Sequence, residues 1–206
     1  MTNLNSVVHT QKTDKEMIEG KKIILGSKSP RRRELMQGAD LEFTVDSKSL
    51  FDEHFPPAMD HIQVPEFIAK GKSEHFHRQL EDDEILITAD TMVLVDGKII
   101  GKPQDNTEAA RMLETLSGKT HIVATGVCIR DNGKQISFTD TTEVKFEKLS
   151  ASEIEYYVSK FHPTDKAGAY GIQEWIGHIG ISAINGSYFN VMGLPIHRIY
   201  QELRNW

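Results

Sequence analysis

Apolar residues along this chain gather in short continuous runs, and between the runs they recur at helical spacing. Ile23, Ile24 and Leu25 make the first run, which suits a buried strand. Gly26 ends it, and Ser29-Pro30 reads as an N-cap followed by proline at the first helical position. Residues 31–36 then continue as a helix that Gly38 is placed to stop. Residues 41–45 alternate like a strand, and residues 46–60, with Pro56-Pro57 and scattered acids, read as an extended loop. Val64, Phe67, Ile68 and Phe76 predict an amphipathic helix over 64–79. The most apolar run covers 84–95, β-branched and continuous as in a strand buried on both faces, with Asp90 interrupting it.

Asp96-Gly97 turns that run into a hairpin with residues 98–100. Asp105 or Asn106 caps a helix to about Leu116, with Ala109, Met112, Leu113 and Leu116 inward and Ser117-Gly118 at its end. Residues 121–129 and about 135–147 form a long structural hairpin around Asp131-Asn-Gly133. Ser150 or Ser152 opens a helix to about Ser159 on Ile154, Tyr157 and Val158, and a last helix starts at Pro195.

At 206 residues the chain can bury about 70% of its unfolded surface, which suits one domain or two lobes around a cleft. Residues 1–20 are polar and patternless, so they read as a loosely ordered extension before a domain at 21–206. The balance of 38% hydrophobic and 26% charged residues is that of an ordinary soluble protein, and no run is long enough for a signal peptide or membrane span. A net charge of −6 argues against a nucleic-acid binder, so an anionic ligand would need a local basic cluster. Cys128 is the single cysteine, which excludes an internal disulfide and suits a reducing cytoplasm. None of the nine histidines forms a metal-ligand cluster, and His75 and His77 would diverge on a helix.

The basic cluster lies at residues 28–33. Lys28, Arg31, Arg32 and Arg33 surround a helix N-terminus, where positive charge is unfavourable, while Ser27 and Ser29 add hydroxyl donors. Together they suit an anion; the same stretch also fits an ordinary helix with solvated arginines. It is not a Walker A loop, because the earlier glycine is missing. Asp90 is costly in its apolar run unless it meets a cation or a strong donor. Either it caps a strand break, or it is a metal ligand and general base at a strand end.

The run Ser27-Lys-Ser-Pro-Arg-Arg-Arg-Glu-Leu35 resembles the opening signature of the Maf nucleotide pyrophosphatases. Ala89-Asp90-Thr91, Gly101-Lys102-Pro103, Asp165-Lys-Ala-Gly-Ala-Tyr-Gly-Ile-Gln173, Gly186-Ser-Tyr-Phe-Asn190 and Met192-Gly-Leu-Pro-Ile196 match the family in order, so the likeness runs from about Ile23 to Leu203. It implies an α/β fold: an elongated mixed β-sheet, flanking helices, and two lobes around a substrate cleft, as in inosine triphosphatases. It also implies hydrolysis of a nucleoside triphosphate between the α and β phosphates. Asp90 would be the catalytic base and a metal ligand, with Glu53 as the second acidic ligand (Asp52 adjoins it), and Ser27, Ser29, Lys72 and Lys102 would meet the substrate. A carboxylate ligand set favours Mg²⁺ or Mn²⁺ over zinc. Arg31, Thr91 and Gln173 resemble the set of the dTTP- and UTP-hydrolysing type. An amide such as Gln173 can donate to a pyrimidine carbonyl and accept from N3–H, a face that uracil and thymine share and cytosine lacks. The family continues with glycine after this glutamine, whereas here Glu174-Trp175 follows, an aromatic that could reshape the base pocket. The resemblance allows a homodimer. A non-catalytic nucleotide-binding regulator of septum formation is the rival class, and a phosphotransferase the other, although no kinase motif is present.

Overall fold

A computed structural model describes residues 20–206; apart from Gly20, the expected extension over residues 1–20 lies outside the described residues. The chain runs β1 (Lys22–Leu25), α1 (Pro30–Gly38), β2 (Phe43–Val45), α2 (Val64–Glu74), β3 (Glu84–Val95), β4 (Lys98–Ile100), α3 (Asn106–Leu116), β5 (Thr120–Arg130), β6 (Gln135–Phe146), α4 (Ala151–Phe161), α5 (Trp175–Gly180), β7 (Ile181–Asn185), α6 (Tyr188–Met192) and α7 (Ile196–Arg204). Among the described residues seven strands form one mixed sheet, ordered β2-β1-β3-β5-β6-β7, with β4 beside the far end of β3. β1 lies parallel to β2 and β3, and the remaining pairs are antiparallel. The α/β architecture with an elongated mixed sheet is therefore the one expected.

β3 joins two apolar cores. Its Ile85, Ile87 and Ala89 pack with α1 and α7 through Leu35, Met36, Ile199 and Leu203. On the same face, Val93 and Val95 pack with α3 and α4 through Leu113, Leu116, Tyr157 and Val158. Thr91 falls between the two. The opposite face of β3 carries Leu86, Thr88 and Asp90 and is covered by α2, where Thr88 Oγ1 donates to the Ala69 carbonyl at 2.6 Å. α2 lies very close to the sheet: a Cβ on Gly126 of β5 would stand 2.0 Å from the backbone nitrogen of Glu66. Only glycine leaves room for that approach.

The strand with Asp90 runs without a break, so this aspartate caps nothing; it pairs in register with Gly126 of β5. What ends is the neighbour. β1 pairs with β3 only as far as Ile87, and β4 takes up that side again at Val93. The gap between them opens the cleft.

Three local readings differ from the structure. α2 stops at Glu74 rather than 79, because Phe76 leaves the helix to form an antiparallel bridge with Ser49 and to pack on Ile24, Leu80 and Leu86. Gly38 stays within α1, and Asp40 takes the positive φ of 54° instead. The second strand begins at Phe43, not Leu41. β7 and the short helices α5 and α6 had no clear periodic signal; β7 is an outer strand whose last four residues are exposed.

Candidate active site

Ser29 caps α1, its Oγ accepting from the backbone N–H of Arg32 at 3.4 Å, and Pro30 occupies the first turn as expected. The three arginines that follow go to three different places. Arg32 shares the inward face of α1 with Leu35 and Met36, and its guanidinium is buried. It donates to the Gly193 carbonyl at 2.7 Å, the Ala89 carbonyl at 2.8 Å, Thr91 Oγ1 at 3.0 Å and Ser27 Oγ at 3.1 Å. The Ala89 carbonyl is one that a longer β1 would have bonded, so Arg32 closes the open edge of β3. Burial holds its pKa below the ordinary arginine value, opposed by the charge of Asp90. Arg32 thus needs no external anion, contrary to the reading of the whole cluster as anion-seeking. Arg33 turns to solvent and the Lys28 carbonyl. Arg31 reaches across the cleft to Asp165, Nη1 to Oδ2 at 2.7 Å.

Asp90 faces α2. Its Oδ1 lies 2.9 Å from Lys72 Nζ, and the same ammonium lies 3.1 Å from Glu53 Oε1. Glu53, not Asp52, therefore meets the cleft; Asp52 pairs with His54 in solvent. Two carboxylates on one ammonium, beside an arginine, form a site that handles charge. Thr91, on the other face, bonds Thr125 at 3.0 Å and lies 3.3 Å from the Gly193 carbonyl, so its hydroxyl is fully engaged within the protein.

The cleft has a volume of about 480 Å³ and is lined by Ser27, Ser29, Arg31, Glu53, Lys72, Asp90, Thr91, Lys102 and Gln173, among others. Every site residue predicted from the sequence meets there. Ser27 Oγ and Ser29 Oγ already accept hydrogen bonds within the protein, which leaves their hydroxyl protons for an anion. Lys102 is exposed, and its loop is tied down by the Gly168 N–H, which donates to the Gly101 carbonyl at 2.9 Å. The amide oxygen of Gln173 is buried and has no protein partner. Trp175 does not line the cleft: it packs on Tyr156, ring centres 4.7 Å apart, and against the α3–α4 core. Its ring therefore makes no direct contact with the cleft.

Two cleft residues, Arg32 and Lys166, stand outside the predicted substrate and metal set. Arg32 was legible, since it stands three and four positions before buried Leu35 and Met36. Lys166 falls inside the 165–173 motif with no chemistry marked for it by the sequence; it is buried, 2.7 Å from Asp165 Oδ1 and 3.2 Å from Glu174 Oε1. No sequence signal marked that bridge, because both partners depend on how the 163–174 segment folds back.

A family model described as Maf-like protein matches residues 22–206. A dTTP/UTP pyrophosphatase of Porphyromonas gingivalis strain W83 is 49% identical over 187 residues, covering 90% of this chain and 94% of that protein. The dTTP/UTP pyrophosphatase of Parabacteroides distasonis is 48% identical over 191 residues, covering 93% and 99%, and that of Bacteroides thetaiotaomicron is 48% identical over 182 residues, covering 88% and 94%. Among solved structures, a HAM1 protein from Coxiella burnetii overlays with a TM-score of 0.48 at 12% identity, covering 90% of this chain and all of that one. The family match spans the sheet, both cores and every wall of the cleft, and the protein belongs to the Maf family.

Proposed function

We propose that this protein hydrolyses dTTP and UTP to the nucleoside monophosphate and pyrophosphate, in the cytoplasm. The observation that carries the reading is the cleft itself. At one place it gathers the carboxylates of Asp90 and Glu53 on Lys72, with the Arg31 guanidinium and Lys102 nearby and the Gln173 amide on the wall. Relatives close to half identical over nine-tenths of the chain carry that activity in their names.

Cleavage of a phosphoanhydride needs positive charge on several phosphate oxygens and an oriented water. Arg31, Lys72 and Lys102 supply the charge, and Asp90 accepts the proton of the water. Asp90 and Glu53 also fit a divalent cation. Among the described residues no group of three or more carboxylate, histidine or cysteine side chains could hold a metal, so a cation in the cleft would rest on this pair together with substrate phosphates and water. Mg²⁺ suits such a site, because it is commonly held by one or two carboxylates, substrate phosphates and waters; Mn²⁺ takes the same ligands. Asp90 and Glu53 would hold such a cation, which would supply charge neutralisation at the phosphates.

Gln173 would read the base. Its unpartnered amide oxygen suits a donor such as the N3–H of uracil or thymine, which cytosine lacks. A site built on such bonds rejects a base that leaves its polar groups unpaired. The test is release of pyrophosphate from dTTP, UTP, CTP, GTP and 7-methyl-GTP with Mg²⁺, on wild type and on Gln173→Ala. dTTP and UTP should lead in kcat/KM, and Gln173→Ala should lose their advantage over CTP. Binding without turnover, a lead by 7-methyl-GTP, or a full preference kept by the alanine variant overturns the assignment.

A further inference from the structure

We propose that Glu174 is a positioning residue for base selection: anchored through both carboxylate oxygens, it holds Gln173 at the depth where the amide meets the base. The inference rests on the pyrophosphatase reading above and extends it to the residue that follows the base-reading amide.

Glu174 Oε2 accepts from the Tyr157 hydroxyl, and Oε1 lies 3.2 Å from Lys166 Nζ. Tyr157 is wholly buried on α4, and its hydroxyl also accepts the Gly171 N–H at 3.0 Å. Burial and the neighbouring carboxylate keep that hydroxyl protonated, so it remains a donor. The carboxylate lies against the loop backbone, so closely that a Cβ on Gly171 would stand 2.8 Å from Glu174 Cδ. One end of this anchor is therefore the rigid α3–α4 core. The other is an ammonium that is itself buried and needs its carboxylates.

Gln173 has no comparable hold of its own. Its amide oxygen is buried without a protein partner, so the position of the amide depends on the backbone that Glu174 fixes one residue later. Lys166 passes the constraint on: it bonds Asp165 Oδ1 at 2.7 Å, while Asp165 Oδ2 takes Arg31 at 2.7 Å. A loosened Glu174 therefore disturbs the base-reading amide first and leaves Asp90 and Lys72, held by β3 and α2, in place. An effect on selection with chemistry spared is what separates positioning from simple structural support.

The experiment is steady-state hydrolysis of dTTP, UTP and CTP by wild type, Glu174→Gln and Tyr157→Phe, each with its unfolding midpoint. Pyrophosphate release from dTTP and UTP by wild type is read first; its absence overturns the underlying activity and this inference together. With it present, both variants should lose about tenfold in the UTP-to-CTP ratio of kcat/KM, carried by KM for UTP, with kcat for dTTP within about threefold. A ratio unchanged in folded variants, or a fall in kcat shared equally by all three nucleotides, overturns the inference while the activity stands. Should Glu174→Gln fail to fold, Tyr157→Phe, which removes the core end of the anchor and the Gly171 contact but leaves the Glu174 carboxylate on Lys166, decides by the same two results.

Discussion

Lys72 and Asp90 face each other from α2 and β3, Nζ to Oδ1 at 2.9 Å, with side chains only 17% and 16% exposed. The pair lies where β3 has lost β1 as its neighbour, so the carboxylate is shielded yet open to the cleft. Asp90→Asn keeps the shape and removes both charge and basicity. Turnover of dTTP should fall at least about 10²-fold with the fold intact. Near-wild-type hydrolysis with ordinary metal dependence would end the assignment of Asp90 as base.

The Lys72 ammonium bridges Glu53 and Asp90, the two carboxylates proposed to hold a divalent cation. Lys72→Met should therefore lower dTTP turnover while raising the affinity of nucleotide-free protein for Mn²⁺ by about tenfold, since two carboxylates lose their resident positive charge. Calorimetric titration with the metal alone reads this directly. Binding that is unchanged or weaker than in wild type contradicts the placement.

Arg31 and Arg33 test the loop. Arg31 lines the cleft, whereas Arg33 bonds only the Lys28 carbonyl at the surface. Loss of a charge-assisted bond costs about 1.5–3 kcal/mol, so Arg31→Ala should lower kcat/KM for dTTP by about 10- to 100-fold. Arg33→Ala should change it by less than about threefold, as solvated surface charges usually do. Equal effects from both would put the wrong arginine at the phosphates.

His121 gives the stability a pH dependence. It is buried, its Nε2 is 2.7 Å from the Tyr170 hydroxyl, and burial lowers its pKa from 6.5 to about 4. Between those values the unfolded chain binds the extra proton, so stability rises with pH across that window and is lost as pH falls through it. The full loss is about 3 kcal/mol. His121→Gln keeps a partner for Tyr170 and cannot titrate. The difference between its unfolding free energy and that of wild type should shift with pH between about 6.5 and 4. Parallel curves would show that His121 does not titrate there.

Much of the site could be read before the fold because its pieces are local. Ser29 and Pro30 start α1 through bonds within one turn, and Asp96-Gly97 reverses the chain through its own φ preferences. Such signals depend on near neighbours, so they survive without tertiary context. The family motifs likewise point to Asp90, Lys102 and Gln173, and these line one cleft.

Tertiary structure decided which charge meets which. Arg31, Arg32 and Arg33 are chemically identical in the sequence, yet one crosses 134 positions to Asp165, one closes the open edge of β3, and one turns to water. Phe76 looked like the next apolar step of α2, but a bridge to Ser49 drew it out of the helix. Glu174 and Trp175 are adjacent, and only the path of 163–175 sends the carboxylate to Tyr157 and Lys166 and the indole to Tyr156. A helix cap is satisfied within four residues, whereas a buried charge must find its partner wherever the chain returns, and that return is set by the packing of the two cores.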